Sequence, residues 1–221
     1  MPEYTHIELL QTEDGSHTLY VPSIDETYHS THGAINESLH VFMRAGFEQT
    51  LKPELRVLEV GFGTGLNAYL TALASVTKMA VHYTSIEKYP LPEELWQSVN
   101  YPAMYGQDQT LFECLHTAPW NIETKLTPTF YLHKIEGDFS CLLLQEQFDL
   151  IFYDAFSPEK QPELWSESIF EKLYTHTEIS GILTTYCAKG AVRRAMQHAG
   201  YEVERIPGQA GKREMLRAIK Q

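Results

Sequence analysis

The sequence lacks any long apolar segment. No run among its 221 residues approaches the roughly 20 apolar residues that a helix needs to cross a bilayer. The first six residues, MPEYTH, have neither the basic start nor the apolar core of a secretion signal. These absences argue against export and against a membrane anchor. We therefore expect a cytoplasmic location and no membrane partner.

Cysteine is scarce, and its spacing excludes the usual structural uses of thiols. Cys114, Cys141 and Cys187 lie far apart, without a CxxC pair or a Cys/His spacing typical of zinc sites. None of the ten histidines belongs to an HExxH motif. We expect buried, reduced thiols and no metal. We interpret His29 and His32 as ordinary loop residues, with a place in the lining of a functional site as the alternative.

Positive charge is scarce overall but unevenly distributed. The net charge is −12, yet residues 181–221 carry eight basic against three acidic residues. An acidic body does not suit a protein that coats nucleic acid broadly. The basic C-terminal segment is either a solvated face or a place where a polyanion docks.

Internal repeats, low-complexity stretches and long linkers are also absent. With 43% hydrophobic residues the chain can bury one sizeable core. We expect one domain over residues 1–221, with an N-terminal extension (1–50) and a core (51–221). Within the extension, Asp14-Gly15 between two apolar runs predicts a β-hairpin, and apolar residues at helical spacing predict a helix over residues 35–49.

A glycine-rich loop, EVGFGTGLN at residues 59–67, separates an apolar run from a helical pattern. Glycine lets the backbone turn sharply and approach a ligand, and a helix start offers unpaired N–H groups. Dinucleotide loops usually have the spacing GxGxxG, whereas ExGxGxG with its preceding acid favours the zwitterionic end of S-adenosylmethionine. A tight turn without a ligand is the alternative. The loop's candidate cofactor-binding residues are Glu59, Gly61, Phe62, Gly63, Thr64, Gly65 and Asn67.

Three further acids follow predicted strands. Glu87 ends a strand about twenty-five residues after the glycine loop, the spacing expected of an acid that accepts both ribose hydroxyls. Asp138 is placed to receive the adenine amino group, with Phe139 near the base; alternatively, Gly-Asp is an ordinary turn. Asp154 follows a nearly continuous apolar strand and could hold an amine nucleophile or take its proton. A helix cap is the alternative role for Asp154.

Strands and helices alternate along the core. Strands are predicted at residues 56–60, 81–87, 130–135, 148–153, 181–186, 201–206 and 213–219, and helices at 66–74, 92–98, 110–117, 163–176 and 188–199. This alternation predicts an α/β fold with a seven-stranded, mostly parallel sheet and an antiparallel last strand. That is the Rossmann-like plan of class I methyltransferases.

Several motifs resemble one family over nearly the whole chain: the MnmC-type tRNA 5-methylaminomethyl-2-thiouridine biosynthesis methyltransferases. The resemblance rests on NESLHVF (36–42), the glycine loop, IEKYPL (86–91), DAFSPEKQPELW (154–165), VRR (192–194), AGY (199–201) and GKREML (211–216). The segment after Asp154 and the closing GKREM are far more specific than a glycine loop.

This resemblance implies N-methylation of the 5-aminomethyl group on the wobble uridine, position 34, of certain tRNAs, with S-adenosyl-L-homocysteine as the second product. It implies that Asp154 positions the amine beside the cofactor, and that Lys88 joins Glu87 in the cofactor site. The implied substrate-binding residues, which would contact the tRNA anticodon loop, are Phe156, Pro158, Tyr186, Arg193, Arg194, Lys212 and Arg213.

The sequence departs from the family pattern in two ways. A flavin-dependent domain is often fused behind the methyltransferase, but this sequence stops after the last predicted strand, so we expect no flavin and a separate oxidoreductase that supplies the amine. Ala155 and Ser157 stand where the fused proteins commonly have glycine and alanine. Two other functions stay open: a transferase acting on a small, polyamine-like free amine, and a non-catalytic module that binds S-adenosylmethionine or RNA.

Overall fold

The computed structural model describes residues 6–50, 52–75, 80–209 and 214–221. The chain begins with a small antiparallel sheet of three strands, β1 (Glu8–Gln11), β2 (His17–Val21) and β3 (Glu26–Thr27). The hairpin predicted around Asp14-Gly15 joins β1 and β2, with Gly15 at a φ of 85°. The third strand was not predicted, because two residues are too few to show an alternating pattern.

The predicted helix over residues 35–49 is interrupted. It starts as α1 (Ala34–Ser38), widens into a π-helical turn (Leu39–Arg44) and, after Gly46, ends in a 3₁₀ turn (Phe47–Gln49). The Ala45 N–H donates a hydrogen bond to the His40 carbonyl, five residues earlier, which is the spacing of a π-helical turn. The predicted helix is present from Ala34 to Arg44, but its change of pitch was not predicted, because apolar spacing over so short a segment cannot distinguish helices of different pitch.

A second sheet of eight strands forms the core: β4 (Glu54–Val60), β5 (Ala80–Glu87), β6 (Thr124–Thr127), β7 (Phe130–Glu136), β8 (Phe148–Tyr153), β9 (Thr177–Thr185), β10 (Glu202–Pro207) and β11 (Glu214–Ile219). Their order is β10-β11-β9-β8-β4-β5-β7-β6, with β7, β5, β4, β8 and β9 parallel. The α/β class and the antiparallel last strand are confirmed. The sheet has one strand more than expected, because β6 pairs with β7 as a short edge hairpin.

Both faces of this sheet are covered by helices. Along β8, Leu150 and Phe152 pack into one hydrophobic cluster, while Ile151 and Tyr153 pack into another on the opposite face. The first cluster includes residues of α2 (Leu66–Ser75), α3 (Glu93–Trp96), α4 (Tyr101–Met104) and α5 (Gln109–Thr117), and the second includes residues of α6 (Glu167–Thr175) and α7 (Gly190–Ala199). All six residues of β8 are buried, which confirms it as a central strand.

The strand order reverses at β4, which lies between β5 and β8. In open α/β sheets, ligands bind beyond the carboxyl ends of the strands at such a reversal. The fold therefore directs a ligand toward the segments that follow β4, β5, β7 and β8.

The three cysteines differ in their exposure. Cys114 and Cys141 are exposed and only Cys187 is buried, so the expectation of three buried thiols was wrong for two of them.

No helix within the described ranges has the length and apolarity to span a bilayer.

Candidate cofactor and substrate site

A cavity of about 280 Å³ opens at the carboxyl ends of β4, β5, β7 and β8. One side, here called the cofactor wall, is formed by residues 61–63, 86–88 and 137–139. A second part of the lining, the substrate wall, is formed by residues 26–31, from β3 and the segment after it, together with Phe156, Gln161 and Tyr186. Asp154 belongs to the same lining.

The glycine loop brings bare backbone to the cofactor wall. Gly61 has a φ of 95°, and a Cβ there would fall 2.6 Å from the Asp154 carbonyl oxygen. Gly63 has a φ of 50° and lies against the ring of Tyr28. Both positions require glycine, because an L side chain would be strained there and would meet a neighbouring atom. The loop therefore connects the ends of β4 and β8 closely. The N–H groups of its three glycines are engaged within the protein: Gly61 donates to the Ile86 carbonyl, Gly63 to the Glu87 carboxyl and Gly65 to the Phe62 carbonyl.

Glu87 connects the end of β5 to the glycine loop. Its Oε2 accepts the Gly63 N–H at 3.0 Å, and its Oε1 accepts the Tyr89 N–H at 2.9 Å. Burial raises the pKa of this carboxyl, and the backbone hydrogen bonds oppose that effect. A carboxylate oxygen has two lone pairs, so each oxygen keeps one acceptor site for a ligand hydroxyl.

Asp138 and Phe139 follow β7. The Lys88 ammonium donates to Asp138 Oδ2 at 2.7 Å, and Ser140 donates to Oδ1 through both its N–H and its hydroxyl. The bond from Lys88 and the bonds from Ser140 lower the pKa of Asp138 to about 2. Phe139 is buried beside it and presents an apolar surface to the cavity.

Asp154 is held by a side chain of α2. Asn67 Nδ2, in the first turn of that helix, donates to Asp154 Oδ2 at 2.9 Å. Glu59, the first residue of the motif, does not reach the cavity lining. It is fully buried under the loop, where Ser85 Oγ donates to its Oε2 at 2.6 Å. Burial raises the pKa of Glu59 to about 8, opposed by Ser85 and reinforced by the charge of Asp154.

The substrate wall joins distant parts of the chain. Ser157 donates its hydroxyl to Glu26 of β3 at 2.6 Å, and the rings of Tyr28 and Phe156 meet edge to face at 5.1 Å. Tyr186 donates to the Ala155 carbonyl at 2.9 Å. These contacts fix the loop after Asp154 against the N-terminal sheet.

The N-terminal sheet also contacts the glycine loop. His29 Nε2 lies 2.7 Å from the hydroxyl of Thr64, and the Tyr101 hydroxyl donates to the same oxygen at 3.2 Å. His29 is buried and lines the cavity, which agrees with the alternative interpretation of this residue and not with that of an ordinary loop residue. His32 is on the surface, beside Glu13.

Most of the candidate residues come together. Those that line the cavity are Gly61, Phe62, Gly63, Glu87, Lys88, Asp138, Phe139, Asp154, Phe156 and Tyr186. Thr64, Gly65 and Asn67 do not line the cavity but are hydrogen-bonded to residues that do, namely His29, Phe62 and Asp154 respectively. Pro158, Arg193 and Arg194 are not part of the lining, and both arginines belong to α7. Lys212 and Arg213 lie outside the described residues.

Sequence reasoning assigned no role to the N-terminal part of the lining. Glu26, Tyr28, Ser30 and Glu37 have no local pattern that marks a site, although Glu37 belongs to the NESLHVF motif. Glu37 is buried, and its Oε2 accepts the Ser30 N–H at 2.9 Å. With Glu26, Glu37, Asp154 and Glu163, the lining is strongly acidic near the substrate wall.

The residues of the cofactor wall fit S-adenosyl-L-methionine. Free acceptor sites on Glu87 suit a pair of hydroxyls, and Ile86 and Phe139 offer apolar contact to a flat base. The bare glycine loop admits the amino-acid end, and nearby carboxylates favour a positively charged sulfonium. Within the described ranges, no group of three or more histidine, cysteine or acidic side chains is placed to hold a metal ion.

Comparison with known sequences gives a consistent result. A family model described as "S-adenosyl-L-methionine-dependent methyltransferase" matches residues 122–221. The chain is 31% identical to the tRNA 5-methylaminomethyl-2-thiouridine biosynthesis bifunctional protein MnmC of Burkholderia thailandensis and 32% identical to that of Cupriavidus metallidurans, covering 94% of this chain in both cases. It spans about one third of their length, 34% and 33% respectively.

Solved structures extend the similarity to the fold. MNMC2 from Aquifex aeolicus superposes with a TM-score of 0.80 and 29% identity, over 98% of this chain and 71% of that one. Spermidine synthase from Thermotoga maritima, at 12% identity and a TM-score of 0.61 over 97% of this chain and 68% of that one, shares the fold alone. In sequence over most of its own length and in architecture, this chain is similar to MnmC proteins, and residues 122–221 match the model of a family of S-adenosyl-L-methionine-dependent methyltransferases.

Proposed function

We propose that this protein methylates the 5-aminomethyl group of the wobble uridine, position 34, in certain tRNAs. The product would be 5-methylaminomethyl-(2-thio)uridine, released together with S-adenosyl-L-homocysteine. The observation that carries this proposal is that Asp154 lines the same cavity as the cofactor wall and an acidic, aromatic substrate wall. Identity of about 30% to MnmC proteins over most of this chain supports the choice of substrate.

The cofactor wall holds the methyl donor in this proposal. The bare backbone of the glycine loop lets it approach closely, and the side chains of Glu87, Asp138 and Phe139 bind it. When bound, S-adenosyl-L-methionine supplies an electrophilic methyl group on a sulfonium. Lys88 keeps Asp138 ionised, so that this carboxylate can accept a hydrogen bond from the adenine amino group.

Asp154 orients the amine. A primary alkylamine resembles lysine, with a pKa of roughly 10, so it enters the acidic cavity as an ammonium and must lose a proton before its lone pair can attack. Asp154 accepts a hydrogen bond from the amine and aligns it with the methyl group. Such alignment is a large part of catalysis in a transfer between two bound groups.

The substrate wall binds the base. A wobble base lies in a single-stranded loop and can be splayed into a pocket at lower cost than from a duplex. Phe156 and Tyr28 present rings that would pack against it, with Tyr186 beside them. Arg193 and Arg194 on α7, together with Lys212 and Arg213, are the proposed phosphate contacts, and the amine would come from a separate flavin-dependent oxidoreductase.

One assay tests the proposal. The protein is incubated with methyl-labelled cofactor and tRNA from cells that lack this modification step, and the nucleosides are then identified by mass. We expect label in 5-methylaminomethyl-(2-thio)uridine alone. Methylation of another nucleoside, or none in tRNA, would contradict the proposed substrate.

A free small amine is the second candidate substrate. It is favoured by the acidity of the cavity, where Lys88 is the single basic residue of the described lining apart from His29, and Lys88 is paired with Asp138. RNase digestion of the substrate pool distinguishes the two candidates. Methyl transfer that survives digestion, or that occurs with a polyamine alone, would favour the free amine.

A further inference from the structure

Glu59 is a buried acid without a basic partner in the part of the chain that the structure describes. Its side chain has 0% exposure, and the hydroxyl of Ser85 donates to one of its two oxygens. The other oxygen, Oε1, is buried and has no hydrogen-bond partner among the described residues. An ionised carboxylate loses several kcal/mol of hydration in such a place, so the uncharged form is favoured.

Asn67 lies between this buried acid and the cavity. Its Nδ2 donates to Asp154 Oδ2 at 2.9 Å, while its own Oδ1 is buried at a site with no donor among the described residues. Asn67 and Tyr83 both flank the Glu59 carboxyl. A proton on Glu59 supplies the missing donor, whereas a carboxylate would add another acceptor.

Among the residues that the structure describes, the groups that face Glu59 include no cation. They are Ser85 and Tyr83 from β5, Asn67 from α2 and Asp154 after β8. Burial, the largest effect, raises the pKa of Glu59 and outweighs the polar side chains of Ser85, Asn67 and Tyr83, which lower it. The negative charge of Asp154 opposes ionisation of Glu59, in addition to the effect of burial. A neutral Glu59 also leaves Asp154 as the charged acid at this point of the cavity.

We propose that Asn67 is a positioning residue for the Asp154 carboxylate, and that the buried, uncharged side chain of Glu59 holds Asn67 in place. The motif acid would thus act through Asn67 instead of binding the cofactor itself. This inference depends on the proposed function only for its kinetic readout.

Two variants test the two parts of the inference. Glu59→Gln keeps the shape of a protonated acid and can donate an N–H to Asn67, so kcat and the cofactor Kd should both stay within about threefold of wild type. Asn67→Ala should lower kcat by roughly 10- to 100-fold through misalignment, while the Kd for S-adenosyl-L-homocysteine changes by less than about threefold. Ser75→Ala, a buried polar change at the far end of α2, is the matched control and should behave as wild type.

Binding and structure provide readouts that need no substrate. Calorimetry with S-adenosyl-L-homocysteine measures the Kd, and crystal structures of both variants with that ligand show the orientation of Asp154. We expect the carboxylate to turn away or to occupy several orientations in Asn67→Ala and to keep its place in Glu59→Gln.

The outcomes separate this inference from the proposed function. A rise of more than about tenfold in the cofactor Kd of Glu59→Gln would mean that an ionised Glu59 binds the cofactor, which would overturn the inference. An Asp154 carboxylate that keeps its wild-type orientation in the crystal structure of Asn67→Ala would also overturn the inference. If the wild type methylates no tRNA, the proposed function fails, while the binding and crystallographic results still decide the roles of Glu59 and Asn67.

Discussion

The cofactor wall and the substrate wall line one cavity together with Asp154, but they are held together differently. In the cofactor wall, strand ends meet backbone to backbone, as when the Gly61 N–H donates to the Ile86 carbonyl and the Gly137 N–H donates to the Glu87 carbonyl. In the substrate wall, side chains join segments far apart in sequence, as in the contact of Ser157 with Glu26. The cofactor wall is therefore built from the strand ends of the core sheet, whereas the substrate wall is formed by side chains that join the N-terminal segment to the loop after Asp154.

This difference corresponds to the two roles that we propose, cofactor binding and substrate binding. In the cofactor wall, the carboxylates of Glu87 and Asp138 are tied to backbone amides and to Lys88, so their orientation is set without a ligand. The substrate wall combines aromatic rings with acids, which suits a base that carries a cation. Substitutions in the cofactor wall should therefore change the Kd for the cofactor, and substitutions in the substrate wall should change KM for the substrate. Substitution of Asp154 should change turnover.

The largest effect is expected at Asp154, which lines the cavity together with both walls. Asp154→Ala should lower turnover by roughly 100- to 10,000-fold, the usual contribution of a positioned acid–base group. Because the glycine loop and Glu87 stay in place, the cofactor Kd should change little. Steady-state methylation and calorimetry measure the two quantities, and Asp154→Asn separates charge from shape. Unchanged turnover in both variants would remove Asp154 from the chemistry.

Glu87→Ala should show the opposite pattern. The variant loses acceptors for two ligand hydroxyls and for two backbone amides, so the cofactor Kd should rise by roughly 10- to 100-fold, with a smaller effect on kcat. Isothermal titration with S-adenosyl-L-homocysteine checks the change. Glu136→Ala, an exposed acid at the paired position of β7, is the control and should leave the Kd unaltered. Equal affinities for the two variants would contradict the assignment of Glu87.

A change in the substrate wall should act on KM. Phe156→Ala removes one ring of the pair with Tyr28, and a lost stacking contact is worth about 1 to 3 kcal/mol per base, so KM for tRNA should rise by roughly 10-fold or more. The Kd for the cofactor should stay near wild type. Tyr105→Ala, an exposed aromatic outside the lining, serves as the control. A shift in cofactor affinity without a shift in KM would mean that the two walls are not separate.

The smallest effect concerns stability and pH. The pKa of Glu59 is raised in the folded protein from 4.5 to about 8, so between these values the folded state binds more protons than the unfolded state, and stability falls as pH rises. Glu59→Gln removes that dependence. Its Tm relative to wild type should therefore increase by at least about 3 °C between pH 5 and pH 8, measured by calorimetric melting. A constant difference across this range would show that Glu59 ionises normally.

Much of the core could be predicted from local patterns. The boundaries of β8 and the start of α2 agree with the expected ones, because a continuous apolar run and a glycine loop are properties of neighbouring residues. Glu87 and Asp154 were found because they end or follow strands that the pattern placed in order. The extra strand β6 was not predicted, since its Thr-Lys-Leu-Thr sequence resembles a polar connection.

The N-terminal part of the site could not be predicted in the same way. His29 contacts Thr64, and Tyr28 packs on Phe156, yet neither residue belongs to a pattern that marks a ligand site. Apart from Glu37, which lies in a family motif, only the docking of the small sheet on the core brings such residues to the cavity.

The sequence by itself determined the order of strand, glycine loop and helix, and the acids at the strand ends, because these depend on residue type and short-range spacing. The tertiary structure alone decided which distant side chains complete the cavity. It also decided that Glu59 lies beneath the loop instead of within the cavity. Burial and the charge state that follows from it depend on what packs around a residue, and packing is a property of the whole fold.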